Sequence, residues 1–209
     1  MKKSLLLWIL AVAVAIGCKD KKESPGEPPA GEAASESPSG EGFTAEEARV
    51  KGMEYAMATQ AVLGKTLQGK IKSEGTVAAI EFCNLRALPI TDSLSREKGA
   101  AISRITDRPR NPENRASDEE MKFISRFKSD LATGQAPEGL VVRQEGRTNF
   151  YYPILTNNLC LQCHGRPEKE ISSEVLSILK ERYPQDSATG YAANEFRGLW
   201  KVSFPMKQR

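Results

Sequence analysis

Histidine is almost missing from this chain: His164 is the only one in 209 residues. Any metal chemistry must therefore draw its other ligands from different side chains. No long basic run is present, and 30 Lys and Arg stand against 27 Asp and Glu, so charge gives nucleic-acid binding no support. The longest apolar run, Leu5 to Ile16, is too short to read as a spanning helix. From Lys19 to Gly42 no apolar side chain is larger than alanine or proline. Such a stretch cannot bury enough surface to offset its ordering entropy.

What the N-terminus does contain is an export pattern. Lys2 and Lys3 precede the apolar run, and Gly17-Cys18 follows it. Ala15-Ile16-Gly17-Cys18 resembles the bacterial lipobox, which makes Cys18 the expected lipidation site and first mature residue. The expected organisation is a lipoprotein signal peptide over 1–17, a lipidated flexible linker over 18–42 and a folded domain over 43–209. Several acyl chains on Cys18 would hold the protein at a membrane. The expected location is the cell envelope, facing the periplasm, with inner or outer membrane undecided.

Four cysteines are present. Cys160-Leu161-Gln162-Cys163-His164 has the spacing of covalent haem attachment: two thiols join the porphyrin and the adjacent imidazole reaches the iron. A zinc site would need further Cys or His ligands, and only Cys83 remains. A redox disulfide would not require His164 beside it. The expected cofactor is one covalent haem c. Its second axial ligand is open at this point between Cys83, a methionine (Met53, Met57, Met121 or Met206), a lysine, water and no ligand. Cys83 follows Val77 and Ile80 at three-residue spacing, which places all three on one helix face. An inert buried thiol fits that position as well.

The remaining pattern predicts helices early and strands late. Val50, Met53, Met57, Ala61, Gly64, Leu67 and Ile71 repeat at threes and fours, predicting a long helix from Thr44 to Ser73 broken by Gly75. A second helix carries Cys83 and ends near Ala87, because Pro89 disfavours helix at the residue before it. A third runs from Thr91 to Lys98. Ala100 to Thr106 reads as a strand. Ser117 with Glu120 is a capping box opening another helix, and a hairpin turns at Glu145-Gly146. Ile171 to Tyr183 is helical. Phe196, Gly198, Trp200, Val202 and Phe204 alternate along one strand face. Segregated helices and strands predict an α+β fold with an antiparallel sheet.

Five segments in order, Ile80-Glu81-Phe82-Cys83, Arg108 to Asn114, Tyr152-Pro153-Ile154, Cys160 to Gly165, and Ala188 to Tyr191 with Arg197-Gly198, resemble a family of PAS-like c-type haem domains often found ahead of bacterial sensor kinases. The resemblance spans roughly Thr44 to Phe204. It implies a PAS-like fold, with a central antiparallel sheet, flanking helices and a long N-terminal helix. It also implies His164 as one axial ligand and Cys83, matching the family's helical cysteine, as the other. A thiolate ligand would favour Fe(III) and a low potential. Arg108, Arg110 and Arg115 lie in a loop suited to haem propionates. Tyr152, Tyr191 and Trp200 are candidates to pack on the porphyrin or in the core.

The expected function is a lipid-anchored monohaem c-type cytochrome carrying single electrons to a redox partner. The alternative is a haem-based redox or gas (NO or CO) sensor acting on a signalling partner. No transmitter region follows Phe204, which tilts toward the carrier. No proton-transfer pair or substrate motif is evident, so no enzymatic role is expected.

Overall fold

The computed structural model describes residues 42–205. The segment expected to be a signal peptide, Cys18, nearly all of the expected linker, and Met206 lie outside the described residues. Among those described, no helix is long and apolar enough to cross a membrane.

Helix α1, Ala45–Lys98, opens on a capping box in which Thr44 and Glu47 satisfy each other's backbone amides. It breaks at Gly75, where φ is 86° and ψ is 173°, a conformation that costs little only without a Cβ. The first arm lays Ala48, Gly52 and Ala56 on the sheet. A Cβ on Gly52 would stand 2.4 Å from the Phe150 ring, so glycine there sets how closely helix and sheet approach. The second arm does not stop before Pro89, as the sequence suggests, but runs through it to Lys98. Proline removes only one helical hydrogen bond, to the Leu85 carbonyl, on a turn whose Leu85 side chain is 71% exposed. Beyond it the helix runs on, with Thr91 Oγ1 also donating to Ala87 O at 2.9 Å and Ser95 Oγ to Thr91 O at 2.9 Å.

Strand β1 (Ala101–Ile105) is followed by a short 3-10 turn (Pro112–Asn114) and helix α2 (Asp118–Ala132), whose capping box is Ser117 with Glu120. Strands β2 (Leu140–Gln144) and β3 (Arg147–Leu155) form the hairpin, with Glu145 and Gly146 both at positive φ as a tight two-residue turn requires. Then come α3 (Asn158–His164), α4 (Ser173–Arg182) and β4 (Phe196–Phe204). The four strands form one antiparallel sheet in the order β1-β4-β3-β2. This is the α+β arrangement expected, with α1 on one face and α2 on the other.

One register detail departs from the alternating pattern. Trp200, Val202 and Phe204 face α1 with Phe150, whereas Phe196 packs with Leu199 and Tyr151 on the α2 side. Gly198 pairs with Ile154 but Phe196 pairs with Leu155, so Arg197 is an extra residue. That bulge reverses the facing of everything before it.

Candidate functional site

The first arm's apolar stripe is longer than the sheet it covers. Past Thr59, the residues Ala61, Gly64, Leu67 and Ile71 face no sheet; with Met57 they wall a cavity of about 670 Å³. That volume lies inside the range of roughly 300–1,000 Å³ usual for cofactor sites. The second arm closes one side with Ile80 and Cys83, and the end of the sheet supplies Ile154, Gly198 and Trp200. Helix α3 closes the other side with Cys160, Cys163 and His164. The sole imidazole and three thiols, drawn from distant parts of the chain, therefore meet at one space.

A seven-residue helix cannot hold itself, and α3 is tied down from outside. Asn157 caps it, accepting from the amides of Leu159 and Cys160 at 2.9 and 3.2 Å. At the other end Gly190 N donates to Gly165 O at 2.7 Å and Tyr191 N to His164 O at 2.9 Å. His164 Nδ1 lies 2.7 Å from Ala188 O. A carbonyl can only accept, so Nδ1 carries the proton and Nε2 keeps its lone pair. Burial, then Arg110 and Arg197, hold the His164 pKa well below its usual value and keep the ring neutral. Tyr191 stands edge-on to it at 6.3 Å.

The thiols are also electrostatically marked. Burial pushes Cys163 up to about 11, against the opposing charge of Arg110. Burial likewise raises Cys83, against Arg104 and Arg110. As free thiols both are neutral; bonding to carbon or to a metal is what would change that. Among the described residues no three His, Cys, Asp or Glu side chains converge on a bare metal ion, so the zinc alternative has no ligand set.

The arginines divide otherwise than their positions in sequence suggest. Arg108 does not line the cavity: its guanidinium donates to Ser187 O and Thr189 O and lies 4.3 Å over the Tyr191 ring. It braces the loop that holds His164. Arg110 does reach the cavity, but as a clamp. It pairs with Asp186 at 2.9 Å and donates to Cys163 O, while Asp186 takes the Ala188 amide at 2.8 Å. Arg115 is not on the cavity wall. Tyr152 is also absent from that wall; it belongs to the sheet core, stacked with Phe150 at 6.4 Å. Trp200 does line the cavity and donates from Nε1 to Gln60 Oε1 at 3.1 Å. Of the described methionines considered as ligands only Met57 lines it.

Two cavity residues have no role that sequence pattern alone reveals, Arg104 on β1 and Arg197 at the bulge. Strand alternation could have flagged the first. The second is visible in sequence only as half of Arg197-Gly198.

No curated protein matches this chain. Among solved structures, that of the cyanobacterial haem protein Tll0287 superposes with a TM-score of 0.58 at 16% identity, covering 80% of this chain and 99% of the other. The sequence model of the Tll0287-like family matches residues 41–205. That span takes in every strand and helix described, and the chain belongs to the Tll0287-like family.

Proposed function

We propose that this chain is a monohaem c-type cytochrome that carries single electrons, tethered to the cell envelope through lipid on Cys18. The observation that carries the reading is the meeting of Cys160, Cys163, His164 and Cys83 at one cavity, with the His164 tautomer fixed by Ala188 O. In this reading Cys160 and Cys163 bond the porphyrin, His164 Nε2 takes one axial position and the Cys83 thiolate the other. The haem would supply a one-electron Fe(III)/Fe(II) couple. With both axial positions filled there is no open site for substrate, so the role is not enzymatic. The structural relative Tll0287 is a haem protein, which agrees with this cofactor.

The alternative, a haem-based sensor, draws on one feature. The Cys83 arm is separated from the rest of α1 by Gly75, and the residue after the break, Thr76, donates from Oγ1 to Gln162 Oε1 at 3.1 Å, inside the Cys-x-x-Cys-His motif. A change of ligation at Cys83 would thus meet a hinge.

The test is the absorption spectrum, oxidised and reduced, of the haem-loaded protein beside its Cys83→Ala variant. A low-spin ferric thiolate signature lost in the variant supports Cys/His ligation. An unchanged variant spectrum removes Cys83 as ligand and makes Met57 the next suspect. CO binding to the reduced parent would favour the sensor; its exclusion favours the carrier.

A further inference from the structure

The cavity wall carries four cationic side chains, Lys65, Arg104, Arg110 and Arg197, and no aspartate or glutamate. Two of the four are accounted for. Lys65 is exposed and free to reach water. Arg110 is engaged with Asp186 and the Cys163 carbonyl. The other two are not. Arg104 makes no hydrogen bond or ion pair within the described residues; its guanidinium only lies 5.9 Å over the Trp200 ring. Burial is the leading cause of its lowered pKa. Arg197 spends Nη1 on Thr106 Oγ1 and Arg108 O, each at 3.2 Å, leaving its Nε and Nη2 without an acceptor among the described residues. Its pKa too is lowered chiefly by burial.

A desolvated cation without an anion is costly. Folding to this arrangement is reasonable only if something else answers the charge. A Cys83 thiolate would answer one charge, and as an iron ligand it is itself neutralised. Planar guanidinium groups with unused donors match carboxylates, which accept two parallel hydrogen bonds. The β4 bulge bears on this directly, because the extra residue it inserts is Arg197, next to the close approach of Gly198 to Ile105 O.

We propose that Arg104 and Arg197 seat the two carboxylates of the cavity's ligand. Resting on the haem reading above, these are the haem propionates. Arg108 braces the His164 loop instead, and Arg110 clamps Cys163. A carboxylate held against an arginine stays ionised across the neutral range; remove the arginine and burial raises its pKa into that range.

The experiment uses the haem-loaded protein and follows the midpoint potential between about pH 5 and 9 in the parent, Arg104→Met and Arg197→Met, with Arg104→Lys and Arg197→Lys as charge-keeping controls. The parent potential is expected to be flat above about pH 6. In each methionine variant it falls with pH across part of the range, with a slope approaching about 59 mV per pH unit, one proton per electron. The lysine variants return toward the flat profile. Where a methionine variant fails to load haem, Arg→Gln at the same position takes its place in the same titration. Methionine or glutamine variants with the parent's flat profile overturn the assignment while leaving the haem reading intact. A parent that matures without covalent haem overturns the haem reading itself, which is seen before any titration.

Discussion

Replacing Arg110 by alanine should destabilise the protein far more than the loss of an ordinary surface ion pair. The Arg110 and Asp186 side chains are 12% and 9% exposed, and their 2.9 Å pair is the only ion pair of Asp186 among the described residues. The substitution leaves a buried carboxylate whose other oxygen holds only the Ala188 amide. It also frees the Cys163 carbonyl and loosens the loop whose Ala188 carbonyl fixes His164. Breaking a buried pair from one side costs about 3–5 kcal/mol. With a urea slope of about 2 kcal/mol per molar, the unfolding midpoint should fall by about 1.5–2.5 M. The double variant Arg110→Met with Asp186→Leu removes both charges and should recover most of that loss, because the penalty belongs to the orphaned anion rather than to the bond. The assay is equilibrium urea unfolding of the three proteins followed by far-UV circular dichroism. A cost for Arg110→Ala below about 1 kcal/mol, the value of an exposed pair, would refute the clamp.

Three further outcomes follow from the same geometry. Gly52→Ala places a Cβ 2.4 Å from the Phe150 ring and should cost about 1–3 kcal/mol by overpacking, read as a lowered thermal midpoint. Pro89→Ala restores a helical hydrogen bond to Leu85 without disturbing a buried contact, and should raise the thermal midpoint; no change would mean that the arm is already strained elsewhere. Burial works to raise the Glu120 pKa, but the 2.7 Å hydrogen bond from Lys201 and those from Ser117 overcome it, leaving it below its usual value. A depressed carboxylate contributes stability above its unfolded pKa and loses it as pH falls through the folded value. Glu120→Gln should therefore be destabilising at neutral pH and approach parity with the parent in acid, measured as unfolding free energy against pH.

Much of this architecture can be read locally. Spacing alone marks Cys160, Cys163 and His164, because the covalent attachment proposed above requires two thiols and an imidazole at that interval. Ser117 with Glu120, the Glu145-Gly146 turn and the Gly75 break are likewise each set by a few neighbouring residues. What escapes are the consequences of tertiary geometry. Pro89 reads as a helix end, yet the helix runs through it on an exposed turn that loses a single backbone bond. Phe196 reads as facing Trp200, but the extra residue at Arg197 becomes visible only when β4 is laid against β3. Arginines near one another in sequence, Arg108 and Arg110, both brace loops, and only Arg110 also reaches the cavity, whereas Arg104 and Arg197 come from separate strands that pairing brings to one wall. Apolar periodicity along the first arm of α1 is genuine, but it does not distinguish a stripe that covers a sheet from one that walls a cavity.

The two candidate axial ligands are held in unequal ways, and the inequality bears on what the site can do. His164 sits in a helix capped by Asn157, bonded through its backbone and side chain to Ala188 and Tyr191, and clamped by Arg110. Cys83 sits on a helical arm joined to that motif by the Thr76–Gln162 bond, held beside Cys83 by the Asn84–Tyr183 side-chain hydrogen bond, by apolar packing of Ile80 on Ile171, Val175 and Leu179 and by the exposed Arg182–Glu81 pair, and anchored at its far end where Ile102 N donates to Ser95 Oγ at 3.0 Å. Hydrogen bonds fix position to fractions of an ångström, whereas apolar packing tolerates small sliding, and an exposed ion pair adds little. His164 thus has more direct anchors than Cys83, and adjustment of the site falls more readily on the stretch of the arm between the Gly75 break and the Ser95 anchor. A carrier needs that arm to stay still through the redox cycle, and a sensor needs it to move. Stiffening the break with Gly75→Ala, a position at φ 86° where any side chain is strained, would separate the two by its effect on CO access to the reduced protein rather than by stability alone.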